Sequence, residues 1–164
     1  MENEITTGLF ALAGVLIGGG VTFFTQWFLE KQKIKNEARA ATEAIIAEIE
    51  ASLFLMEKRS YIDEVKRIIK EQEISPGALY PFVIIVPDDY CLIYKRHIEK
   101  IGLVPASIRH DIIRFYQLLE GLICDIKPGG IFSVPREIEL FRHALEIAEE
   151  MTTIGKRILS NEKK

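Results

Sequence analysis

The sequence predicts an all-α protein: an N-terminal transmembrane helix continuing into a long amphipathic helix, then a helical hairpin and a C-terminal helix that form a small bundle. Three observations carry this expectation. Residues 5 to 29 are 25 consecutive positions without a charge. From Glu30 to Ser75 the chain contains neither proline nor glycine. Beyond that point apolar residues return every three or four positions, in segments separated by turns rich in proline and glycine.

The first element, 5 to 29, is bounded by Glu4 and Glu30. As a helix it would extend roughly 37 Å, against a hydrocarbon core of about 30 Å, so it spans with some tilt. Its glycines and threonines weaken a helix in water but are tolerated in lipid, where the backbone must satisfy its own hydrogen bonds. A cleavable secretory signal would start on a cation, whereas residues 1 to 4 read Met-Glu-Asn-Glu, so the segment is expected to stay and the short acidic tail to face outward. Lys31, Lys33, Lys35 and Arg39 crowd the far side, which places everything after Glu30 in the cytoplasm by the positive-inside rule. Gly14 and Gly18 have the small-xxx-small spacing that lets two membrane helices pack closely, so the span serves either a homo-oligomer or a monomeric anchor.

Residues 30 to 74 form the amphipathic juxtamembrane helix, unbroken or interrupted near Ser60. Its apolar stripe runs through Ile34, Ala38, Ala41, Ile45, Ile49, Leu53 and Met56, then shifts phase to Ile62, Val65 and Ile69. Asp63 and Arg67 offer an i,i+4 pair on the polar face. Residues 75 to 164 hold the rest of the bundle. Prolines at 76, 81 and 87 fence Phe82 to Val86, a β-branched run without a partner strand, which reads as an extended segment pinned against helices. Asp88 or Asp89 then caps a helix carrying Cys91, Tyr94, Ile98 and Ile101, stopped by Gly102. Pro105 opens the next helix, whose stripe is Ile108, Ile112, Phe115, Leu119, Leu122 and Ile126. The run 127 to 130, Lys-Pro-Gly-Gly, ends this hairpin, and from about Ser133 a last helix carries Leu140, Ala144, Ile147, Met151, Ile154 and Ile158.

Composition excludes several functions. A chain of 164 residues, 48% hydrophobic and 27% charged, holds one bundle besides its leader, and a net charge of −3 argues against a nucleic-acid partner. Cys91 and Cys124 lack CxxC spacing and lie on apolar helix faces, where inert packing is expected, and the sequence leaves a single bridge between them open. No catalytic motif, phosphate loop or paired Glu-x-x-His set occurs, so no catalytic residue, no metal ligand and no cofactor is assigned. His143 with Glu139 and Glu146 reads as a solvated face. One cluster is uneven: Lys95, Arg96, His97, Lys100, Arg109, His110 and Arg114 flank the hairpin turn, opposed in that window only by Glu99 and Asp111. Such a basic tip binds an acidic protein partner or membrane lipid headgroups, or else is an ordinary solvated face.

Tyr94, the run Ile101-Gly102-Leu103-Val104-Pro105, and Phe115-Tyr116 followed by Leu118-Leu119 come in an order that resembles a group of functionally uncharacterised bacterial single-pass membrane proteins with a C-terminal helical domain. The resemblance loosely covers residues 5 to 125. It implies a hairpin geometry and a cell-membrane address, and transfers no chemistry. The function expected is a non-catalytic protein anchored once in the bacterial inner membrane, its cytoplasmic helical bundle serving protein interaction or regulation with an unknown protein partner. The alternative is an oligomerising membrane effector that permeabilises the bilayer, of the phage lysis or defence type.

Overall fold

The computed structural model describes residues 2–75, 82–87, 89–134 and 136–162, with side chains from Gly18 onward as far as Asn161. All regular structure among the described residues is helical: α1 (Glu2–Lys58), α2 (Tyr61–Ile74), α3 (Leu92–His97), α4 (Ala106–Ile126) and α5 (Ile138–Glu162), with 3-10 turns at Ile98–Leu103 and Ile131–Ser133. The chain divides into two compact units, Met1–Ala40 and Ala41–Lys164.

In the first unit, described from Gly18 onward, Val21, Phe23, Phe24, Trp27 and Phe28 are all exposed, with Phe24 at 67%. They lie along one side of the helix, but every residue from Val21 to Asn36 is exposed, so the opposite side of this stretch is open as well. The Thr22 hydroxyl donates to the Gly18 carbonyl (2.9 Å) and that of Thr25 to the Val21 carbonyl (2.8 Å), which hides both hydroxyls against the backbone. Lys31 Nζ lies 3.8 Å from the centre of the Trp27 ring. No helix among the described residues is long and apolar enough to cross a membrane. The segment 5 to 29 lies partly outside the described side chains, as does Gly14. Gly18 is described, and a Cβ added there would meet nothing within 4 Å.

The second unit is the helical bundle. α4 and α5 form its closest pair, and α2 also packs on α5. Ile45 and Ile49 of α1, Ile112, Phe115 and Tyr116 of α4, and Met151, Ile154 and Ile158 of α5 make the main core. Burying such a side chain contributes about 1.5–3 kcal/mol. A smaller cluster of Ile68, Phe132 and Phe141 sits under α2. Arg157 of α5 grips Asp111 of α4 with two hydrogen bonds (2.7 and 2.6 Å), and Lys66 and Arg142 tie α2 and α5 through Glu149 and Glu73. Gly155 lets α5 come close: a Cβ there would lie 2.8 Å from Leu53 Cδ1 and 3.0 Å from the Phe115 ring.

The break between α1 and α2 falls where the apolar stripe changes phase. Ser60 adopts a left-handed conformation (φ 50°), and its carbonyl then accepts from the Glu64 N–H at 2.9 Å to start α2. Several expectations are corrected in detail. Arg67 pairs with Glu64 and Glu71 rather than Asp63, because those two carboxylates stand beside it on the helix face. α5 begins at Ile138, since Ser133 belongs to the preceding 3-10 turn. Phe141 rather than Leu140 is the buried residue of its first turn. Ile98 is exposed because α3 tightens to a 3-10 turn there, which changes the period of its faces.

Candidate functional site

The candidate site is an apolar hollow within the second unit, bounded by a polar cluster that fixes its neighbouring elements. Phe115 of α4 and Met151 of α5 belong to the main core, while Phe132 and Phe141 belong to the smaller cluster, against which Ile126 of α4 and Ala144 of α5 also pack. Between the two clusters lies a cavity of about 320 Å³. Met56, Val65, Leu122, Ile126, Phe141 and Met151 form much of its wall.

The extended segment Phe82–Pro87 closes one side of it. The Phe82 N–H donates to the Phe132 carbonyl (3.0 Å) and the Ile84 N–H to the Ile126 carbonyl (2.9 Å), as a strap stitched to the end of α4 and the turn after it. The period-2 alternation of an extended chain turns Phe82, Ile84 and Val86 inward and leaves Val83 and Ile85 exposed. This is the pinned segment expected from the sequence. A closed dry void of this size would cost on the order of 8 kcal/mol at about 24 cal/mol per Å³, comparable with the whole stability of a domain. The hollow is instead open at its rim, where Ile85 (85% exposed) and the exposed Arg59 both line it.

Among the described residues of this lining, Arg59 is the only charged one. It sits in the α1–α2 joint, where the left-handed Ser60 turns the chain, and its Nη1 donates to the Tyr61 hydroxyl at 3.0 Å. That partner is neutral, and no carboxylate lines the hollow among the described residues.

Beside this hollow, Glu48 organises the start of α3. Its two carboxylate oxygens accept the Ile93 and Tyr94 N–H groups, each at 2.9 Å, and one also accepts the Tyr116 hydroxyl at 2.8 Å. The Tyr94 and Tyr116 rings stack 3.8 Å apart with 6° between their planes. Burial, followed by the Glu48 hydrogen bond, pushes the Tyr116 hydroxyl well above the ordinary phenol value. The cap is thus supplied from α1. Asp89 is exposed and makes no such bond, and Asp88 lies outside the described residues. Cys91, at the N-cap, holds a left-handed conformation (φ 62°) and is buried, which pushes its thiol up to about 12.

The basic residues singled out in the sequence differ in what they engage. Arg109 turns back to donate to the Gly102 carbonyl (2.7 Å) and the Val104 carbonyl (2.6 Å), closing the hairpin turn as a structural cap. Arg114 pairs with Glu150 of α5. Lys95 donates to the Tyr90 carbonyl at 3.2 Å and lies 3.8 Å from Glu120. His97 is half-buried with Nδ1 unpartnered, Lys100 is half-buried and engaged, and Arg96 and His110 are exposed. Cys91 and Cys124 are both free, and Cys124 is exposed rather than packed. Among the described residues no group of three His, Cys, Asp or Glu side chains converges as a metal site would.

Glu48 and Arg59 carry no mark in the sequence that distinguishes them from other charged residues of the long helix. Their partners lie on separate elements or in a break whose geometry only the folded chain reveals. The chain matches no family model, no curated protein and no solved structure.

Proposed function

We propose that this is a non-catalytic protein anchored by a single membrane span at residues 5 to 29, with a helical bundle on the cytoplasmic side that serves protein interaction or regulation. The observation that carries the reading is the exposure of Phe23, Phe24, Trp27 and Phe28 together, on a helical stretch exposed at every residue from Val21 to Asn36 and kept free of charge by the sequence as far as Glu30. Such a surface is costly in water, and lipid is its natural solvent.

Three further features support the reading. The hydroxyls of Thr22 and Thr25 are satisfied within the helix, as a hydrocarbon environment requires. Trp27 with Lys31 over its ring matches the aromatic and cationic pair that marks a membrane–water boundary. Lys31, Lys33, Lys35 and Arg39 then assign the following chain to the cytoplasm.

Fusing alkaline phosphatase or a fluorescent protein after Lys164 tests the topology in a bacterial host. Bright fluorescence and silent phosphatase are expected. Active phosphatase would place the bundle outside and defeat the proposal.

A further inference from the structure

We infer that the hollow of the bundle binds the chain of a long-chain carboxylate, a fatty-acid-like amphiphile, with its headgroup held by Arg59. The inference stands independently of the membrane anchor. It rests on three properties of the hollow: its lining, its size and its charge.

The wall is built from aliphatic, aromatic and methionine side chains, with Arg59 and the tyrosines Tyr61 and Tyr90 as its polar members. An apolar wall with polar groups at one place selects an amphiphile over a sugar, nucleotide or metal ion, each of which needs several buried donors and acceptors. Met56 and Met151 add side chains that adjust to a flexible occupant. At about 320 Å³ the cavity lies at the small end of ligand sites, enough for one acyl chain and too small for the two chains and glycerol of a phospholipid.

Charge decides the headgroup. The guanidinium of Arg59 is exposed at the rim, makes its hydrogen bond to a neutral hydroxyl, and among the described residues of the lining meets no carboxylate. Its planar fork suits a carboxylate, which it can hold through two parallel hydrogen bonds. The Tyr61 hydroxyl that accepts from Arg59 is positioned to turn its own proton toward the same oxygen.

Photolabelling of the full-length protein, held in an amphipathic polymer so that the assay works whether or not the chain is membrane-anchored, tests the inference. The probes are palmitic acid carrying a diazirine near its methyl end and the matching hexadecanol. The acid is expected to mark peptides containing Leu122, Ile126, Phe132 or Met151, and unlabelled palmitate to suppress that labelling. Arg59→Gln, on an exposed side chain, is expected to reduce cavity labelling by the acid about tenfold, as loss of a charge-assisted pair would, and to change labelling by the alcohol less than twofold. Ala148→Leu, which extends a small lining residue into the hollow, is expected to reduce labelling by both probes while helical circular dichroism is retained. Adducts confined to residues 18 to 29 would overturn the inference. So would equal responses of acid and alcohol to Arg59→Gln. Should Ala148→Leu unfold the bundle, the adduct map and the Arg59→Gln contrast still decide.

Discussion

Glu48 shows how one side chain can hold three elements. Its carboxylate joins the start of α3 to the Tyr116 hydroxyl on α4, and each hydrogen bond to a charged acceptor contributes about 1.5–3 kcal/mol. Glu48→Ala is therefore expected to destabilise the bundle by about 3 kcal/mol and to weaken the near-ultraviolet circular dichroism of the Tyr94–Tyr116 stack. Tyr116→Phe, which keeps the stack and leaves one carboxylate oxygen without that donor, is expected to cost about 1–2 kcal/mol in urea unfolding. None of this is legible in the sequence, where Glu48 is one of many acidic residues on a long helix and its backbone partners lie far along the chain.

The two cysteines separate by the same logic. Cys124 lies two positions after Leu122, about 200° around the helix from the buried stripe, and it is exposed. Maleimide should modify Cys124 quickly at neutral pH and Cys91 only when the bundle unfolds. The buried Cys91 thiol also sets a pH dependence. Between the ordinary thiol value of 9.0 and about 12, the unfolded chain has released a proton that the folded chain retains. Its contribution is thus fully present below 9 and lost as pH rises through that window, in the same direction as the raised Tyr94 and Tyr116 hydroxyls. Melting temperature measured from pH 8 to 11 should fall, and Cys91→Ala should make the fall shallower.

At the scale of elements, the spacing of apolar residues located α4 closely. Ile108, Ile112, Phe115, Leu119 and Leu122 are all buried, and the Lys-Pro-Gly-Gly turn follows at once. That turn needs both its glycines, for different reasons. Gly129 has φ 87°, where a Cβ is strained. Gly130 presses so closely on the Cys124 and Asp125 carbonyls that any Cβ would collide with backbone. Gly130→Ala is expected to cost about 2–3 kcal/mol or more, and Gly129→Ala about 1–2 kcal/mol, both read from urea midpoints. What the pattern did not reveal at this scale was conformational. The tightening of α3 at Ile98 and the left-handed residues Ser60 and Cys91 are backbone conformations that the spacing of apolar residues does not encode.

At the scale of the molecule, two kinds of surface remain after folding. One is the apolar hollow lined by residues of both clusters of the bundle. Its wall is drawn from several elements at once, and stripes read one helix at a time do not contain it. The other is the aromatic surface around Trp27, which the sequence displays openly as a charge-free run ending in lysines. The central proposal is that this second surface lies in lipid with the bundle on the cytoplasmic side. Its most direct test treats sealed, right-side-out membrane vesicles with a membrane-impermeant maleimide that can reach the exposed Cys124, and washes a separate sample at alkaline pH. The protein should stay with the vesicles, and Cys124 should be labelled only after they are opened. Loss of the protein in the wash, or labelling of Cys124 in intact vesicles, would contradict the proposal.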